Sequence, residues 1–499
     1  MDRAQLNRVQ LNRVQPDRAL LIGGEEVPAA DGRTTEDRDP HTGQVIAHVA
    51  AAGPVDVTRA VDAAASAFPT WSEAPPAQRR KILNRAGDLL EERAADAAAL
   101  MASETGGTLG WSMFNVGLAS SMLREAAALT TLPIGEVLAG DNPDALSLAI
   151  RQPAGVVAAF APWNAPLILG ARAIAAPLAA GNTVVVKASE DAPLACALFL
   201  ADLLRDAGLA PGVLNVITND PADAAAVAET LISDPRVRRV NFTGSTRVGR
   251  RIGELAARHL KPAVLELGGK NAVLVLDDAD LEYAVDAVAF GAYLNSGQIC
   301  MSADRVLVHR AVADDFAARL AEKAKGLPSG DPADPHTVIG PLINPAAAGR
   351  VAGLVDEAAA QGAKILAGGG TPTGAHYPAT VVAGVTPSMR IHTEELFGPV
   401  CTVLTVADEN EAVSVANDSP YGLTAGILTR DLTRGLSVAR RLRTGIAHVN
   451  DQSVDDDPTA PFGGVGESGY GRFGGRAGVE AFTDLRWITL QQRPKQFPF

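Results

Sequence analysis

The chain has 499 residues, 47% of them hydrophobic, which is enough for two or more domains with sizeable cores. Its formal net charge of -13 argues against a surface for nucleic acid or anionic membranes, since both reward clustered Lys and Arg. Its three cysteines, Cys196, Cys300 and Cys401, have no metal-ligand spacing and cannot build a disulfide framework. We therefore expect a cytoplasmic protein with a small-molecule partner, no nucleic acid, no membrane and no metal.

Residues 1–19 form an N-terminal extension that we predict to be disordered. It contains the pentapeptide LNRVQ twice, at 6–10 and 11–15, and lacks the charged and then apolar pattern of a secretory signal. An Arg-rich targeting peptide is the alternative, but Asp2, Asp17 and the missing amphipathic face argue against it.

Helical spacing covers residues 77–130, and then short apolar strands alternate with helices. A first series of strands is predicted at 155–162, 182–189, 212–218 and 238–244. A second series begins at 271–277 and continues through RVLVHR, CTVLTVA, TAGILTR and TGIAHVN. The alternation predicts an α/β protein with two doubly wound, Rossmann-like domains.

Two segments fit neither series. Residues 134–153 read as a β-hairpin whose turn is GDNPD, and residues 484–493 read as a late isolated strand. Such strands need a partner sheet, so we expect them to pair with each other or across subunits, and we expect an oligomer.

A cofactor site is predicted at two strand ends. After the strand RRVNFTG, a Gly-Ser-Thr turn opens a helix whose N-terminus suits the pyrophosphate of a dinucleotide, although such a turn also occurs for purely structural reasons. After VVVKASE, the carboxylate of Glu190 can accept hydrogen bonds from a ribose and would repel a 2′-phosphate, which favours NAD over NADP. The alternative for that segment is a solvated loop.

Three residues have the chemistry of a catalytic centre. Glu266 is an acid inside an apolar strand, so it is paired, raised in pKa, or both, and a raised pKa makes a usable general base. Cys300, in NSGQICMS, is either a nucleophile or a small buried hydrophobe, the class to which Cys196 and Cys401 are assigned. Asn164 follows a strand, where its amide can donate to an oxyanion or cap the next helix.

The ordered set of motifs resembles the aldehyde dehydrogenase superfamily from about residue 20 to 490. PWN, VVKxSE, FTGSTxxG, ELGGK, GQxC, EExFGP and PFGGxxxSGxGR occur in the order of that family, and the 34 residues between Glu266 and Cys300 are similar to its spacing. The sequence departs from the family pattern at Ala188, Gly466 and Phe473, where proline, lysine and an acid are common. None of these departures removes a catalytic group.

The resemblance implies a role for each motif. Cys300 would attack the aldehyde carbon, Asn164 and the Cys300 amide would hold the oxyanion, and Glu266 would activate water to hydrolyse the thioester. NAD, with NADP as a possibility, would accept the hydride. The residues implied in cofactor binding are Trp163, Lys187, Ser189, Glu190, Gly244, Ser245, Thr246, Gly249, Leu267, Glu395 and Phe397.

The resemblance also implies a division of the chain. Residues 20–131 and 154–267 would form the NAD-binding domain and residues 268–475 the catalytic domain. Residues 132–153 and 476–499 would form the oligomerisation arm of a homodimer or homotetramer.

Within the family, the chain is most similar to dehydrogenases that act on benzaldehyde, vanillin or salicylaldehyde. Ala165 leaves space at the pocket, and Arg172 adds a cation that suits a flat ring with a polar group. The alternative is that Arg172 pairs with a structural carboxylate. The predicted pocket residues are Ala165, Leu169, Arg172, Leu294, Ile299, Met301 and Phe462.

Three other functions remain open. A CoA-acylating enzyme is disfavoured because it has no need of Glu266 as a base for water. An inactive binding or structural member of the family should have lost Cys300, Glu266 or Asn164, and the chain keeps all three. A semialdehyde or amino-aldehyde dehydrogenase stays possible because the acidic run 455–457 lies near the expected mouth of the pocket.

Overall fold

The computed structural model describes residues 16–499. The strands are β1 (Leu20–Ile22), β2 (Glu25–Val27), β3 (Thr34–Arg38), β4 (Val45–Ala50), β5 (Gly135–Leu138), β6 (Ala145–Pro153), β7 (Val156–Phe160), β8 (Thr183–Lys187), β9 (Leu214–Ile217), β10 (Val237–Thr243), β11 (Ala263–Glu266), β12 (Ala272–Val275), β13 (Arg305–His309), β14 (Lys364–Ala367), β15 (Thr380–Ala383), β16 (Val400–Val406), β17 (Tyr421–Gly422), β18 (Ala425–Leu428), β19 (His448–Val449), β20 (Val465–Gly466), β21 (Gly469–Tyr470) and β22 (Thr483–Gln491).

The α-helices are α1 (Pro54–Ser72), α2 (Pro76–Glu92), α3 (Ala94–Glu104), α4 (Leu109–Leu129), α5 (Pro166–Ala179), α6 (Phe199–Asp206), α7 (Ala224–Ser233), α8 (Thr246–Arg258), α9 (Leu281–Tyr293), α10 (Ala313–Lys325), α11 (Pro345–Ala360), α12 (Arg390–Thr393), α13 (Glu409–Asn417), α14 (Leu432–Ala439) and α15 (Gly475–Ala481). None of the helices described is long and apolar enough to cross a membrane.

The first large sheet has the order β2-β1-β9-β8-β7-β10-β11-β21, and its five central strands are parallel. Every residue of β7 and β8 is buried, as expected for parallel strands covered on both faces. Val157 and Ala159 of β7 belong to the core shared with α2 to α6, while Val156 and Ala158 belong to the core shared with α1, α7 and α8. This sheet is therefore doubly wound, as predicted.

The second large sheet has the order β14-β15-β16-β13-β12-β18-β19, and all its neighbours are parallel except β14 and β15. It contains every strand of the second predicted series. The two-sheet α/β fold predicted from the alternation of strands and helices is confirmed.

A separate three-stranded antiparallel sheet has the order β22-β6-β5. Its long pairing runs from Thr483 opposite Pro153 to Gln491 opposite Ala145. The hairpin and the late strand therefore pair with each other, which was one of the two predicted arrangements.

The predicted N-terminal extension falls only partly within the described residues. The LNRVQ repeat lies outside them, while Arg18 bridges to Val49 and forms an ion pair of 3.0 Å with Asp202. The short strands β1 to β4 were not predicted, since none is an apolar run long enough to stand out. β1 extends the first sheet by pairing antiparallel with β9.

Candidate active site

The first sheet brings four predicted segments to one edge. Lys187 ends β8 and Glu266 ends β11, while Asn164 follows β7 and Ser245 follows β10. Because these strands are parallel, their carboxyl ends share an edge of the sheet. The chain leaves β7 towards β8 on one side and reaches β10 on the other, so this edge contains the switch point where doubly wound sheets bind ligands.

The second sheet contributes segments that precede its strands. Residues 268–271 lead into β12, Cys300 lies shortly before β13, and Glu395 lies shortly before β16. Hydrogen bonds join the three segments, since Asn271 Nδ2 donates to the Cys300 carbonyl at 2.8 Å and the Gly269 amide donates to Glu395 at 3.0 Å. The candidate site therefore lies between the carboxyl edge of the first sheet and the amino edge of the second.

Cys300 differs from the other two cysteines. It is partly exposed, whereas Cys196 and Cys401 are fully buried. The hydroxyl of Tyr293 lies 3.5 Å from the Cys401 sulfur, and Cys196 accepts from the Ser189 amide at 3.4 Å. These environments fit the assignment of Cys196 and Cys401 as small buried groups and leave Cys300 as the one thiol that faces a pocket.

A strained loop holds Cys300 in place. Asn295, Ser296 and Gly297 have φ angles of 50°, 54° and 70°, so three consecutive residues are left-handed, which costs free energy at the two non-glycine positions. The surrounding structure fixes them, because Asn295 Nδ2 donates to the Asn164 carbonyl at 2.9 Å and Ser296 Oγ donates to the Gly340 carbonyl at 3.0 Å. The backbone before the thiol is thus fixed without a ligand.

The side chain of Asn164 faces this loop rather than capping a helix. The N-cap of α5 is Ala165, and Asn164 Nδ2 donates to the Gln298 carbonyl at 3.1 Å. The second N–H of this amide is free of any hydrogen bond found in residues 16–499. The Asn164 carbonyl is fixed as well, by a hydrogen bond of 3.1 Å from the indole of Trp111.

Glu266 is buried and has no hydrogen-bond partner for either carboxyl oxygen among the described residues. Burial raises its pKa to about 8, the nearby Arg172 opposes the rise, and the charges of Glu395 and Asp456 add to it. Of the two predicted states, raised or paired, the structure has the raised one. A carboxyl group that ionises near pH 8 is a usable base in weakly alkaline solution.

The pKa of Cys300 is also raised well above that of a free thiol, first by burial and then by the charges of Glu266 and Glu395, with Arg172 opposing them. A neutral thiol is a poor nucleophile, so the geometry requires a group that removes its proton. Glu266 is the uncompensated carboxylate that acts most strongly on this thiol.

Cys300 opens onto a mainly apolar pocket of about 390 Å³, part of it open to solvent. Predicted residues that line it are Asn164, Ala165, Leu169, Arg172, Ile299, Met301 and Phe462. Leu294 does not line it. Asp455 and Asp456, from the acidic run expected near the mouth of the pocket, also line it. Lining residues that were not predicted are Trp111, Phe114, Leu118, Ile168 and Val454.

Three of the missed residues had a usable signal. Trp111, Phe114 and Leu118 recur at helical spacing along α4, so they share one face of that helix. The rings of Trp111 and Phe114 stack with 5.6 Å between their centroids. One wall of the pocket is therefore aromatic.

Arg172 forms a buried ion pair with Asp456 inside the pocket, and both side chains are 5% exposed. Its guanidinium also lies 4.0 Å from the ring centroid of Phe462. The pairing with a carboxylate was the alternative considered for Arg172. The charge of Asp456 is compensated by this pair, which weakens the case for a cationic substrate at the acidic run.

The predicted pyrophosphate turn forms the N-terminus of α8. Ser245 is the N-cap and accepts from the Val248 amide at 3.4 Å, so its hydroxyl is used as a cap, while the Thr246 hydroxyl donates to the Glu467 carbonyl at 3.2 Å. The first turn lies close to Leu267, because a Cβ on Gly249 would overlap that side chain. Gly249 thus sets the close approach of α8 to the end of β11.

Polar side chains form a hydrogen-bonded cluster at the ends of β8 and β9. Lys187 forms an ion pair with Glu190, and Asn219 Nδ2 donates to the same carboxylate at 3.0 Å. Ser189 accepts from the Asp191 amide at 3.3 Å, so its hydroxyl stabilises the turn. The segment is an ordered, partly buried group rather than a freely solvated loop.

Glu395 lies against the glycines of ELGGK. A Cβ on Gly268 would overlap its carboxyl group, and burial raises the pKa of Glu395 to about 7. Phe397 has a φ of 49° and meets the ring of Trp163 edge to face, with 5.5 Å between centroids. Glu395 therefore lies in contact with the Gly268–Gly269 turn, and Phe397 in contact with Trp163.

This site and fold have clear counterparts among known proteins. The aldehyde dehydrogenase family model matches residues 27–488, and the chain belongs to that family, as its motifs predicted. A vanillin dehydrogenase of Pseudomonas fluorescens is 53% identical over 482 residues, which cover 97% of this chain and 99% of that protein. A benzaldehyde dehydrogenase [NAD(+)] of Pseudomonas putida is 41% identical, with 92% of this chain and 94% of that protein covered.

A solved structure extends the similarity to three dimensions. The crystal structure of a salicylaldehyde dehydrogenase from Pseudomonas putida G7, complexed with salicylaldehyde, superposes with a TM-score of 0.95 at 42% identity. The match covers 97% of this chain and all of that chain.

Proposed function

We propose that the protein oxidises an aromatic aldehyde to the carboxylic acid with NAD⁺ through a thioester on Cys300. The observation that carries the proposal is the aromatic-walled pocket that Cys300 and Asn164 also line. The similarity to vanillin, benzaldehyde and salicylaldehyde dehydrogenases supports an aromatic substrate.

The residues of the chain supply two chemical steps. Cys300 loses its proton to Glu266, which passes it on to solvent and returns to the carboxylate before hydrolysis. The Cys300 sulfur attacks the aldehyde carbon, and the oxyanion of the resulting thiohemiacetal accepts from the free N–H of Asn164 and from the Cys300 amide. After oxidation, Glu266 takes a proton from water, which attacks the thioester carbon and releases the acid and the Cys300 thiol.

These segments suit a dinucleotide. The N-terminus of α8 offers amides and a positive dipole end to a pyrophosphate, and glycines 249 and 268 let Leu267 and Glu395 pack against the backbone where other residues would clash. Lys187 and Glu190 would hold the adenosine ribose, with Ser189 shaping their turn. Glu395 would hold the other ribose, and Trp163, Leu267 and Phe397 would line the nicotinamide end. When bound, NAD⁺ accepts the hydride from the thiohemiacetal carbon.

The organisation of the chain forms part of the proposal. Residues 20–131 and 154–267 constitute the NAD-binding domain, residues 268–475 the catalytic domain, and residues 132–153 and 476–499 an oligomerisation arm. β21 lies within 268–475 but pairs with β11, so the catalytic segment also contributes the last strand of the first sheet. The assembly is a homodimer or homotetramer in the cytoplasm.

The first test measures NADH formation across benzaldehydes, aliphatic aldehydes, a semialdehyde and an amino-aldehyde, with NAD⁺ and NADP⁺. We expect the highest kcat/KM for benzaldehydes with NAD⁺, and no turnover from Cys300→Ala. Cys401→Ala is the matched control, since it removes a thiol away from the pocket. Glu266→Gln should slow the formation of NADH in a single turnover and abolish steady turnover, because both the Cys300 thiol and the hydrolytic water then lack a base. Higher kcat/KM for aliphatic or amino-aldehydes would reject the aromatic substrate class.

A further inference from the structure

The ion pair between Arg172 and Asp456 leaves two polar atoms unused. Arg172 Nη1 and Asp456 Oδ1 are buried and have no hydrogen-bond partner among the described residues. An unpaired buried polar atom costs free energy, and the cost is larger when the atom belongs to a charged group. One donor and one acceptor therefore lie together in the same corner without partners.

This corner lies in the same pocket as Cys300 and Asn164. Ala165, Leu169 and Arg172 lie on one face of α5, at i, i+4 and i+7. Arg172 is seven residues, about 10 Å along the helix axis, from Ala165, which adjoins Asn164. An aldehyde that places its carbonyl oxygen at Asn164 directs the opposite edge of its ring towards Arg172.

Aromatic side chains border the charged pair. The Phe462 ring centroid lies 4.0 Å from the guanidinium carbon of Arg172, and both residues line the pocket together with Trp111 and Phe114. A flat ring that enters this pocket therefore meets aromatic side chains as well as the charged pair.

We propose that Arg172 and Asp456 bind a hydroxyl group on the ring edge remote from the aldehyde, in the meta or para position. The hydroxyl O–H donates to Asp456 Oδ1 and its oxygen accepts from Arg172 Nη1. The inference rests on the proposed function, because it names the substrate class of the same pocket.

Other substituents satisfy the pair less well. A methoxy group accepts but cannot donate, so it leaves Asp456 Oδ1 unpaired. A carboxylate is repelled by Asp456 and an ammonium group by Arg172. An unsubstituted ring leaves both atoms without partners. Sites that hydrogen-bond a substrate hydroxyl reject analogues without it for this reason.

The guanidinium has room to adjust when the hydroxyl arrives. Arg172 also lines a second space of about 400 Å³, part of it open to solvent, next to Met122, Ala176 and Phe473. The guanidinium can therefore turn towards a ligand without displacing the backbone of α5.

The test compares kcat/KM for benzaldehyde and its 2-, 3- and 4-hydroxy and 4-methoxy derivatives in wild type and in Arg172→Met/Asp456→Leu. Replacing both partners leaves no unpaired buried charge, so the variant is expected to fold. Ring substituents also change the reactivity of the aldehyde. The quantity compared between the two proteins is therefore the kcat/KM for a hydroxylated benzaldehyde divided by the kcat/KM for benzaldehyde. We expect that ratio to fall about 10-fold or more for the 3- or 4-hydroxy compound, with little change for the 2-hydroxy and methoxy compounds.

A matched control makes the same replacements in an exposed ion pair. Arg319 and Asp315 pair on the surface of α10 and are each 53% exposed. Arg319→Met/Asp315→Leu should keep the wild-type ratio.

A second measurement uses wild type alone, in case the pocket variant does not fold. The unreactive 4-hydroxybenzamide should inhibit about 10-fold more tightly than benzamide. An unchanged ratio in a folded pocket variant, or equal inhibition by the two amides, overturns the inference, and the aromatic proposal survives if benzaldehyde is oxidised. Failure to oxidise any benzaldehyde overturns the proposed function itself.

Discussion

Glu266 is held where its charged form is unfavourable. Its carboxyl group is buried without a hydrogen-bond partner among the described residues, and its pKa is raised from 4.5 to about 8. Each unit of such a shift corresponds to about 1.4 kcal/mol between the two protonation states. The property that makes Glu266 a base therefore reduces the stability of the folded chain.

We expect Glu266→Gln to be more stable than wild type, with a pH-dependent difference. Below pH 4.5 the Glu266 carboxyl is neutral in both the folded and the unfolded chain, so the free energy of unfolding of wild type has its full value. Between 4.5 and about 8 only the unfolded chain ionises, so wild type loses stability as pH rises. In thermal unfolding, the melting temperature of the variant should exceed that of wild type by an amount that grows from about pH 5 to about pH 8 and then levels off.

The control for that measurement is Glu229→Gln, which changes an exposed glutamate on α7. Its difference from wild type should not follow the same curve. A Glu266→Gln gain that is constant over the whole pH range would contradict the raised pKa.

Some residues of the candidate site could be predicted from the sequence and others could not. Glu266 could be predicted because an acid in an apolar strand is anomalous, and Asn164 and Cys300 because they stand in recognisable motifs. The pairing of Asp456 with Arg172 could not be predicted, because an acidic run resembles a solvated loop and the two residues are 284 positions apart. Leu294 was predicted in the pocket and is outside it, because the chain reverses through left-handed residues directly after it.

Among the elements, the parallel strands decide where the chemistry can occur. The sequence predicts the strands and their direction, and so the gathering of Asn164, Lys187 and Glu266 at one edge of the first sheet. It does not predict that the second sheet presents its amino edge to them. The alternation of strands and helices gives the strand directions within each sheet, but not the orientation of one sheet relative to the other. The loop of Cys300 could be placed only by three-dimensional contacts.

The close packing of α8 on β11 gives a prediction for Gly249. A methyl group there would overlap Leu267 and push the N-terminus of α8 away from its position. We expect Gly249→Ala to raise the KM for NAD⁺ about 10-fold or more, because small displacements of a binding group are costly. Initial rates at varied NAD⁺ concentration measure it.

Gly353→Ala provides the comparison, since Gly353 lies in α11 with open space around its Cα. This change should leave the KM for NAD⁺ as it is and stabilise the helix by about 0.5–1 kcal/mol. If the two substitutions changed the KM for NAD⁺ equally, the close packing of α8 on β11 would not determine NAD⁺ binding.

For the molecule as a whole, the three-stranded sheet offers a self-association surface. Side chains alternate between its faces, and directly paired residues share a face. The register places six large apolar residues on one face, namely Val137, Leu146, Leu148, Ile150, Ile488 and Leu490, and three on the other, namely Leu138, Leu485 and Trp487. Val137 is 71% exposed and Leu490 is 51% exposed, which is unusual for a monomer surface.

We expect Leu490→Lys to lower the molar mass of the assembly measured by light scattering. A lysine on the apolar face would leave a buried charge at an interface between copies. Thr489→Lys adds the same charge to the adjacent residue on the opposite face and should keep the mass of wild type. A monomeric wild type, or equal masses for the two variants, would contradict the oligomerisation arm.

The pairing of β22 with β6 has a consequence for the order of events during synthesis. β6 leaves the ribosome more than three hundred residues before its partner, and β21, which closes the first sheet, also comes from the last part of the chain. Until β22 has been synthesised, β6 keeps an unpaired apolar edge of the kind that aggregates. A chain that stops short of β22 therefore cannot complete the three-stranded sheet.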